Sequence, residues 1–576
     1  MAEKLISPGV LTRERDQSLI TAGPIVAGAA VVGPTAKGPV EIPTLVTSYT
    51  EYEAAFGTTF DSGSDTKEFL TSVSARNYFN NGGETLLVTR VVSGSSFTAA
   101  SSSFISGSTA GAIASGSAFT LETLGEGTIM NSDSTANGNG VLADGTADNL
   151  RWEISNRDTA SGTFSLDIRR GNDSTREKVV LESYINLSLD PKSNDYVAKR
   201  IGDQSTSVLS DGGTSYIQKT GQYSNISRYV RVSSVNLKTP DYLKSDGSIN
   251  STEFAEFIPV AQSGAMGAAT GDVLGDGSDT YNDNIGTISL ATQGITQGDY
   301  TTAINILGNK DEYNFNIIST PGLVYDKHNT SLDLLIGMVE DRGDAIAVID
   351  LEVYGAQIAN VVNEASSLNT SYAASYWPWL KVKGANGGDE WIPASTVIPG
   401  VYVSSDNASE AWFAPAGMKR GVITAQDTER KLTQSNRDTL YAGKVNPIGT
   451  FPNKGIVVFG QKTLQTKSSA LDRVNVRRLL IELKGYISQI ADTFVFEQNS
   501  VANRNSFLAQ VNPYLESVQQ RQGLFAYKVV MDESNNTADV IDRNEMVGAI
   551  YVQPTKTAEF IYLDFNILPT GATFPA

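Results

Sequence analysis

From Ser93 to Leu150 the chain contains no lysine, arginine or proline, and serine, threonine, glycine, alanine and asparagine dominate. A compact α/β core does not have that composition, so the stretch divides the chain. Two readings fit it: a disordered linker, or short β-strands with small-residue turns in a surface domain. The second is favoured, because Phe119-Thr120-Leu121 and Trp152-Glu153-Ile154 keep apolar alternation within the polar background. Thr163 to Arg169 alternates cleanly and extends the same β-rich pattern.

Different periods stand on either side. Ile25 to Val32 reads as a strand buried on both faces and ended by Gly33-Pro34, as in the middle of an α/β sheet. Asp65 to Asn80 has helical spacing, and Glu84 to Val92 gives a second apolar strand. Beyond about residue 296 the spacing predicts a helix over Tyr300 to Leu307, a strand over Asn314 to Ser319 ended by Pro321-Gly322, a helix over Leu332 to Val339 and a strand over Ala345 to Asp350. The strongest helix runs from Asp472, as N-cap, through Val476, Leu479, Leu483, Ile487 and Ile490 to Phe494. Strand patterns follow at Leu524 to Met531 and Val547 to Val552, separated by a turn region at Asn535-Asn536.

The expected fold is therefore an α/β core, a mixed sheet with flanking helices, carrying a β-rich insertion and extended strand-donating arms at both ends. Its divisions are an N-terminal arm over 1–20, a discontinuous core over 21–97 and 296–554 that includes the helix 472–494, a peripheral insertion of one or two lobes over 98–295, and a C-terminal arm over 555–576. The first arm has mixed charge and little to bury; the second contains the alternating strand Ala558 to Phe565.

Composition then removes functional classes. The chain has 576 residues, no cysteine, one histidine and a net formal charge of −19. Cysteine-zinc sites, disulfide frameworks and thiol nucleophiles are excluded, and His328 alone cannot supply a two-histidine metal motif. The acidic balance argues against broad nucleic-acid binding. No secretory signal is visible, and no window reaches the length of apolar chain that a bilayer requires, so a soluble protein made in a cytoplasm is expected.

The candidate motifs for chemistry are weak. Gly455 to Thr463 resembles a phosphate loop until Gln461 intervenes before Lys462-Thr463, and its Ile-Val-Val-Phe interior reads as a buried strand. Gly33-Pro34 to Gly38 reads as a turn. Asp272, Asp276, Asp279 and Asp283 have the wrong spacing for a calcium loop. His328, among polar neighbours, is expected in a surface loop. Arg473, Arg477 and Arg478 form a basic cluster in an acidic chain; Arg473 and Arg477 share a helix face, and Arg478 is expected to pair with Glu482.

Several separated segments then resemble the sheath proteins of contractile phage tails and related injection machines. They are Ser7-Pro8-Gly9-Val10 and Gly33-Pro34 with Gly38-Pro39; Asn186 to Pro191; Ser371 to Ala374 with Tyr376-Trp377-Pro378-Trp379; Ile392 to Ser395; Pro399 to Tyr402 with Asp406; Trp412 with Ala414 to Gly417; Asn446-Pro447-Ile448; Asp472 to Leu479; and Gln553-Pro554. Ile392-Pro393 and Val403 to Ser405 depart from the family pattern, and 93–150 does not align with it.

The resemblance implies a non-enzymatic subunit without cofactor or metal, polymerising as stacked hexameric rings around a tail tube. Its partners would be itself, the tube protein, and baseplate and tail terminator proteins, with no direct nucleic acid and no membrane insertion. It would reside in the virion tail after synthesis in the host cytoplasm. It also implies that Arg473, Arg477, Arg478 and Lys484 face the tube, and that Val10, Leu11, Thr12, Phe560, Ile561, Tyr562 and Leu563 lie on strands donated to neighbours. The rival class is a surface-array or adhesin-type structural protein.

Overall fold

The structure, a computed structural model, describes residues 25–62, 65–94, 97–105, 117–132, 136–212, 214–271, 291–385 and 387–559. The expected arm strands at Val10 to Thr12 and Phe560 to Leu563, and the four aspartates from Asp272 to Asp283, lie outside them.

Nine strands form the largest sheet: β1 Ala29–Gly33, β2 Thr44–Val46, β3 Leu86–Arg90, β4 Ile317–Val324, β5 Ile346–Asp350, β6 Ala373–Trp377, β7 Val422–Ile423, β8 Asn446–Phe451 and β9 Gly455–Val458. Their order is β7-β9-β8-β6-β5-β4-β1-β3-β2. The strands from β8 to β3 are parallel, and antiparallel strands close both edges. β1, β3, β5 and β6 are buried along their whole length, which is why they read as continuous apolar runs.

Successive strand residues feed two cores. Ala30, Val32, Ala347 and Ile349 pack on one face, and Ala29, Val31, Ile346 and Val348 on the other. Of the helices, α1 Leu70–Asn80 and α4 Ile398–Ala408 cover the second face; α2 Tyr300–Leu307, α3 Tyr325–Arg342 and α5 Gln434–Ala442 cover the first. The last two long helices are α6 Val474–Asp492 and α7 Val501–Gln520, followed by β10 Leu524–Val530 and β11 Ala549–Pro554.

Residues between Ala100 and Ala269 build a separate buried cluster. One sheet there pairs Val180–Ser188, Thr163–Arg170, Leu150–Asp158 and Gln262–Ala265; another pairs Val230–Val235, Ser117–Glu126 and Ala99–Ile105. They share one core rather than forming two lobes: Phe119 of the second stacks on Phe164 of the first, with centroids 5.8 Å apart. The inserted region meets the core through apolar and charged contacts: Val208 and Ile217 of the hairpin formed by Ser205–Asp211 and Thr214–Thr220 pack on the first-face core, and Ile129 packs on the cluster of Ala36, Phe60 and Phe69. Arg90 donates to the carbonyls of Gly38 and Glu126 at 2.6 and 2.9 Å, and Lys37 approaches Asp148 at 3.2 Å.

Several local expectations need correction. The run from Ile25 breaks at Ala27-Gly28: Ile25 and Val26 pair with Tyr313 and Asn314, and β1 begins at Ala29. Asp65–Glu68 is a strand paired with Thr59–Ser62, so α1 starts only at Leu70, after an extended Phe69. Pro321-Gly322 does not end β4. It makes an irregularity within it, with Gly322 at φ 98°, and the strand resumes at Val324 beside Asp350. His328 is fully buried inside α3, not in a surface loop: its Nδ1 accepts the Val324 N–H at 3.0 Å, and its own backbone leaves helical geometry to do so.

Candidate functional site

The distal half of α6, α7 and the β10–β11 pair form a small layer with its own core of Leu479, Leu483, Ile490, Phe507, Val511, Leu515, Val518 and Leu524, to which Trp412 contributes. α6 joins this layer to the large sheet, because Val474 and Ile481 belong to the sheet's second-face core. A helix serves both cores because its apolar residues recur at three- and four-residue spacings over a wide arc. Its start is fixed by backbone bonds. The Val474 N–H reaches the Gln461 carbonyl at 2.8 Å, and the Thr463 N–H reaches the Asp472 carbonyl at 3.1 Å. Asp472 is not the N-cap: the capping position is Arg473, and Ser469 instead caps the short turn Ala470–Asp472.

The three arginines point inward, each to a different element. Arg478 is 4% exposed; Nη1 donates to Asp406 of α4 at 2.8 Å, Nη2 makes a second bond to the same carboxylate, and the guanidinium lies over Tyr402. Burial would lower its pKa, but Asp406 outweighs that and raises it. Tyr402 in turn shares a 2.7 Å hydroxyl bond with Tyr376 of β6. Arg477, equally buried, lies 4.0 Å over the Tyr372 ring and donates to Ser371 Oγ; burial lowers its pKa. Arg478 therefore does not pair with Glu482, which stays exposed.

Arg473 holds the last described residue. Its Nε and Nη2 reach the two carboxylate oxygens of Glu559 at 2.7 and 3.0 Å, and Nη1 lies 2.9 Å from Asp472. Tyr441 of α5 donates its hydroxyl to Glu559 at 2.8 Å, and Gln461 Nε2 bonds both Glu559 at 3.0 Å and Thr557 at 2.7 Å. Burial pushes the Glu559 carboxyl up, but the bonds from Arg473, Gln461 and Tyr441 outweigh it and hold it below its ordinary value.

The expected tube-facing set thus does not share a surface. Arg477 and Arg478 are committed within the chain, Arg473 to Glu559, and Lys484 alone of the four is exposed, with Nζ 3.3 Å from the Tyr372 hydroxyl. The acidic and aromatic partners of the three arginines are remote in sequence. Nothing near Arg473 in the sequence marks Glu559, Tyr441 or Gln461 as its companions.

The surface of the small layer is unusually apolar. β10 and β11 pair antiparallel, with no third strand among the described residues, and Phe525 and Tyr551 are 75% and 63% exposed. Phe496, in the turn between α6 and α7, is fully exposed at φ 70°. Elsewhere, Gly455–Val458 is a strand laddered to β8 and β7, a conformation in which its N–H groups cannot converge on a phosphate. Asp326, Glu352 and Glu364 bring carboxylate oxygens within 4.8 Å of one another, and the Lys327 ammonium sits 2.7 Å from Asp326.

The small layer thus combines a two-stranded sheet, exposed aromatic side chains and a buried anchor for Glu559. The family description "phage tail sheath protein central domain" matches residues 293–464, and "phage tail sheath C-terminal domain" matches 466–568. Residues 293–568 thus match the central and C-terminal domains of the phage tail sheath family. It is 40% identical over 190 residues to a tail sheath protein of Vibrio phage KVP40, covering 33% of this chain and 28% of that one. It is 33% identical over 273 residues to a tail sheath protein of Salmonella phage ViI, covering 46% and 43%. The aligned parts thus span less than half of these relatives. A crystal structure of a sheath tail protein from Listeria innocua has the same fold, with a TM-score of 0.52 at 11% identity over 93% of this chain and 96% of that one.

Proposed function

We propose that the chain is the structural subunit of a contractile tail sheath, polymerising as stacked hexameric rings around an inner tube and driving it through a host envelope by rigid-body rearrangement. The observation that carries this reading is the β10–β11 pair. A two-stranded sheet is marginal by itself, and among the described residues no further strand pairs with either outer edge, which leaves room for strands from other copies. Val10 to Thr12 and Phe560 to Leu563 supply candidate donors. Backbone ladders between copies survive rotation and sliding of rigid bodies, so rings can rearrange while the mesh stays connected. Residues 98–295 form the peripheral unit in this scheme, and baseplate, terminator and tube proteins are the remaining partners.

With Arg473, Arg477 and Arg478 engaged within the subunit, the tube contact is assigned to Lys484 and its exposed neighbours on α6. Electron microscopy of the purified full-length chain at increasing concentration is the direct test. Hollow cylinders with six-fold end views are expected. Particles that stay monomeric even when mixed with purified tail tube would defeat the reading.

A further inference from the structure

The strand-accepting sheet and the chain end proposed as a strand donor are consecutive in this chain: β11 ends at Pro554, and five residues later Glu559 is clamped by Arg473, Tyr441 and Gln461. We infer that this clamp is a strain relief, which passes any pull on the chain beyond Glu559 into the core and keeps it off the β10–β11 sheet. The inference rests on the strand-donating reading above.

The geometry gives two routes for such a pull. Without the Glu559 clamp, load would reach the Leu524–Pro554 end of the small sheet, where the ladder can open one pair at a time, backed by the Thr555 N–H bond to Gly523 at 3.2 Å and the single Gln461 bond to Thr557 at 2.7 Å. With the clamp, load enters a two-pronged guanidinium–carboxylate pair, a geometry stronger than single neutral bonds. The Arg473 backbone belongs to the start of α6, held to the segment after β9 by the Val474 and Thr463 bonds, so the force spreads into the nine-stranded sheet. Tyr441 comes from α5 and Gln461 from the segment after β9, which makes the anchor independent of the sheet it protects. One subunit can then hold a neighbour's strand while its own end is pulled. Glu559 is in this sense a positioning residue.

The test compares full-length chain with Glu559→Ala by hydrogen exchange of the 524–530 and 549–554 amides, in dilute monomer and in assembled polymer. In monomer the two are expected to exchange alike. In polymer the variant's 549–554 amides are expected to exchange about tenfold faster, because opening costs less when the ladder bears load. Arg473→Ala is expected to reproduce this, and Arg473→Lys to recover part of the protection. Equal protection of wild type and Glu559→Ala in polymer overturns the inference, as does equal loss in monomer and polymer, which would mean a plain structural contact. A chain ending at Glu559 separates the two levels: if it polymerises normally, the reading of Phe560 to Leu563 as a donated strand fails and the clamp with it, whereas a chain that does not assemble leaves the exchange data to decide the clamp.

Discussion

The nine-stranded sheet and the small C-terminal layer solve the same packing problem in opposite ways. In the sheet, parallel strands are covered on both faces and closed by antiparallel edges, so little of what they could bind is left open. In the layer, two helices cover one side of a two-strand sheet, and Phe525, Tyr551 and Phe496 face solvent. One region is closed on itself and the other leaves large apolar side chains open, as a contact surface would. The difference separates what holds the fold from what the proposed assembly would use, and substitutions in each region test that separation.

The largest effect is expected at the joint between the regions. Asp406→Ala strands the buried Arg478 charge and is expected to cost about 3 kcal/mol or more in denaturant unfolding; a much smaller loss would mean that the layer is not held by this pair. Within the sheet, Leu87→Ala leaves a cavity in a fully buried site and is expected to cost about 2–5 kcal/mol.

Asp350 at the end of β5 gives a pH-dependent test. Burial lifts its carboxyl to about 7 from an ordinary 3.8, against the bonds from Ser395 that favour the charged form. The folded state therefore holds the proton more tightly than the unfolded one. This group lowers stability progressively as pH rises from 3.8 to about 7, after which its cost is constant. Asp350→Asn is accordingly expected to gain most in thermal midpoint over wild type at pH 8 and to lose that advantage progressively as pH falls towards 3.8. A difference that does not change with pH would remove the titration from the account.

The smallest stability effect is expected in the layer. Phe525→Ser and Tyr551→Ser are expected to shift monomer unfolding by less than about 0.5 kcal/mol while impairing polymer formation followed by light scattering. A loss of monomer stability as large as that of Leu87→Ala would erase the contrast between the two regions.

Legibility in the sequence follows the range of the interactions involved. β1, β3 and β5 were readable because burial on both faces writes itself as contiguous apolar residues, and α2 because its period is local. The β-rich reading of the lysine-free stretch holds for its described strands, since alternation is also local. The arginine contacts were not readable: Arg478 meets Asp406 across 72 residues, Arg473 meets Glu559 across 86, and Arg477 meets Ser371 across 106. His328 was misjudged for a related reason. Its neighbours Asn329 and Thr330 are solvent-facing, while its ring is buried and bonded to the Val324 N–H at the end of β4, which polar flanking residues do not reveal.

α6 has one more consequence. Its 19 residues make a rod about 28 Å long, gripped near one end by Arg477 and Arg478 and carrying the small layer at the other. Such a rod is a lever with a short inner arm. A tilt of about 5° at the arginine grips moves the far tip, about 21 Å away, by about 2 Å, roughly a third of a helical turn. The side chains that set that tilt are Tyr372, Tyr402 and Asp406, none of which lies on the rod. Small changes at those three residues are thus magnified at the small layer, the part of the molecule that exposes Phe525 and Tyr551.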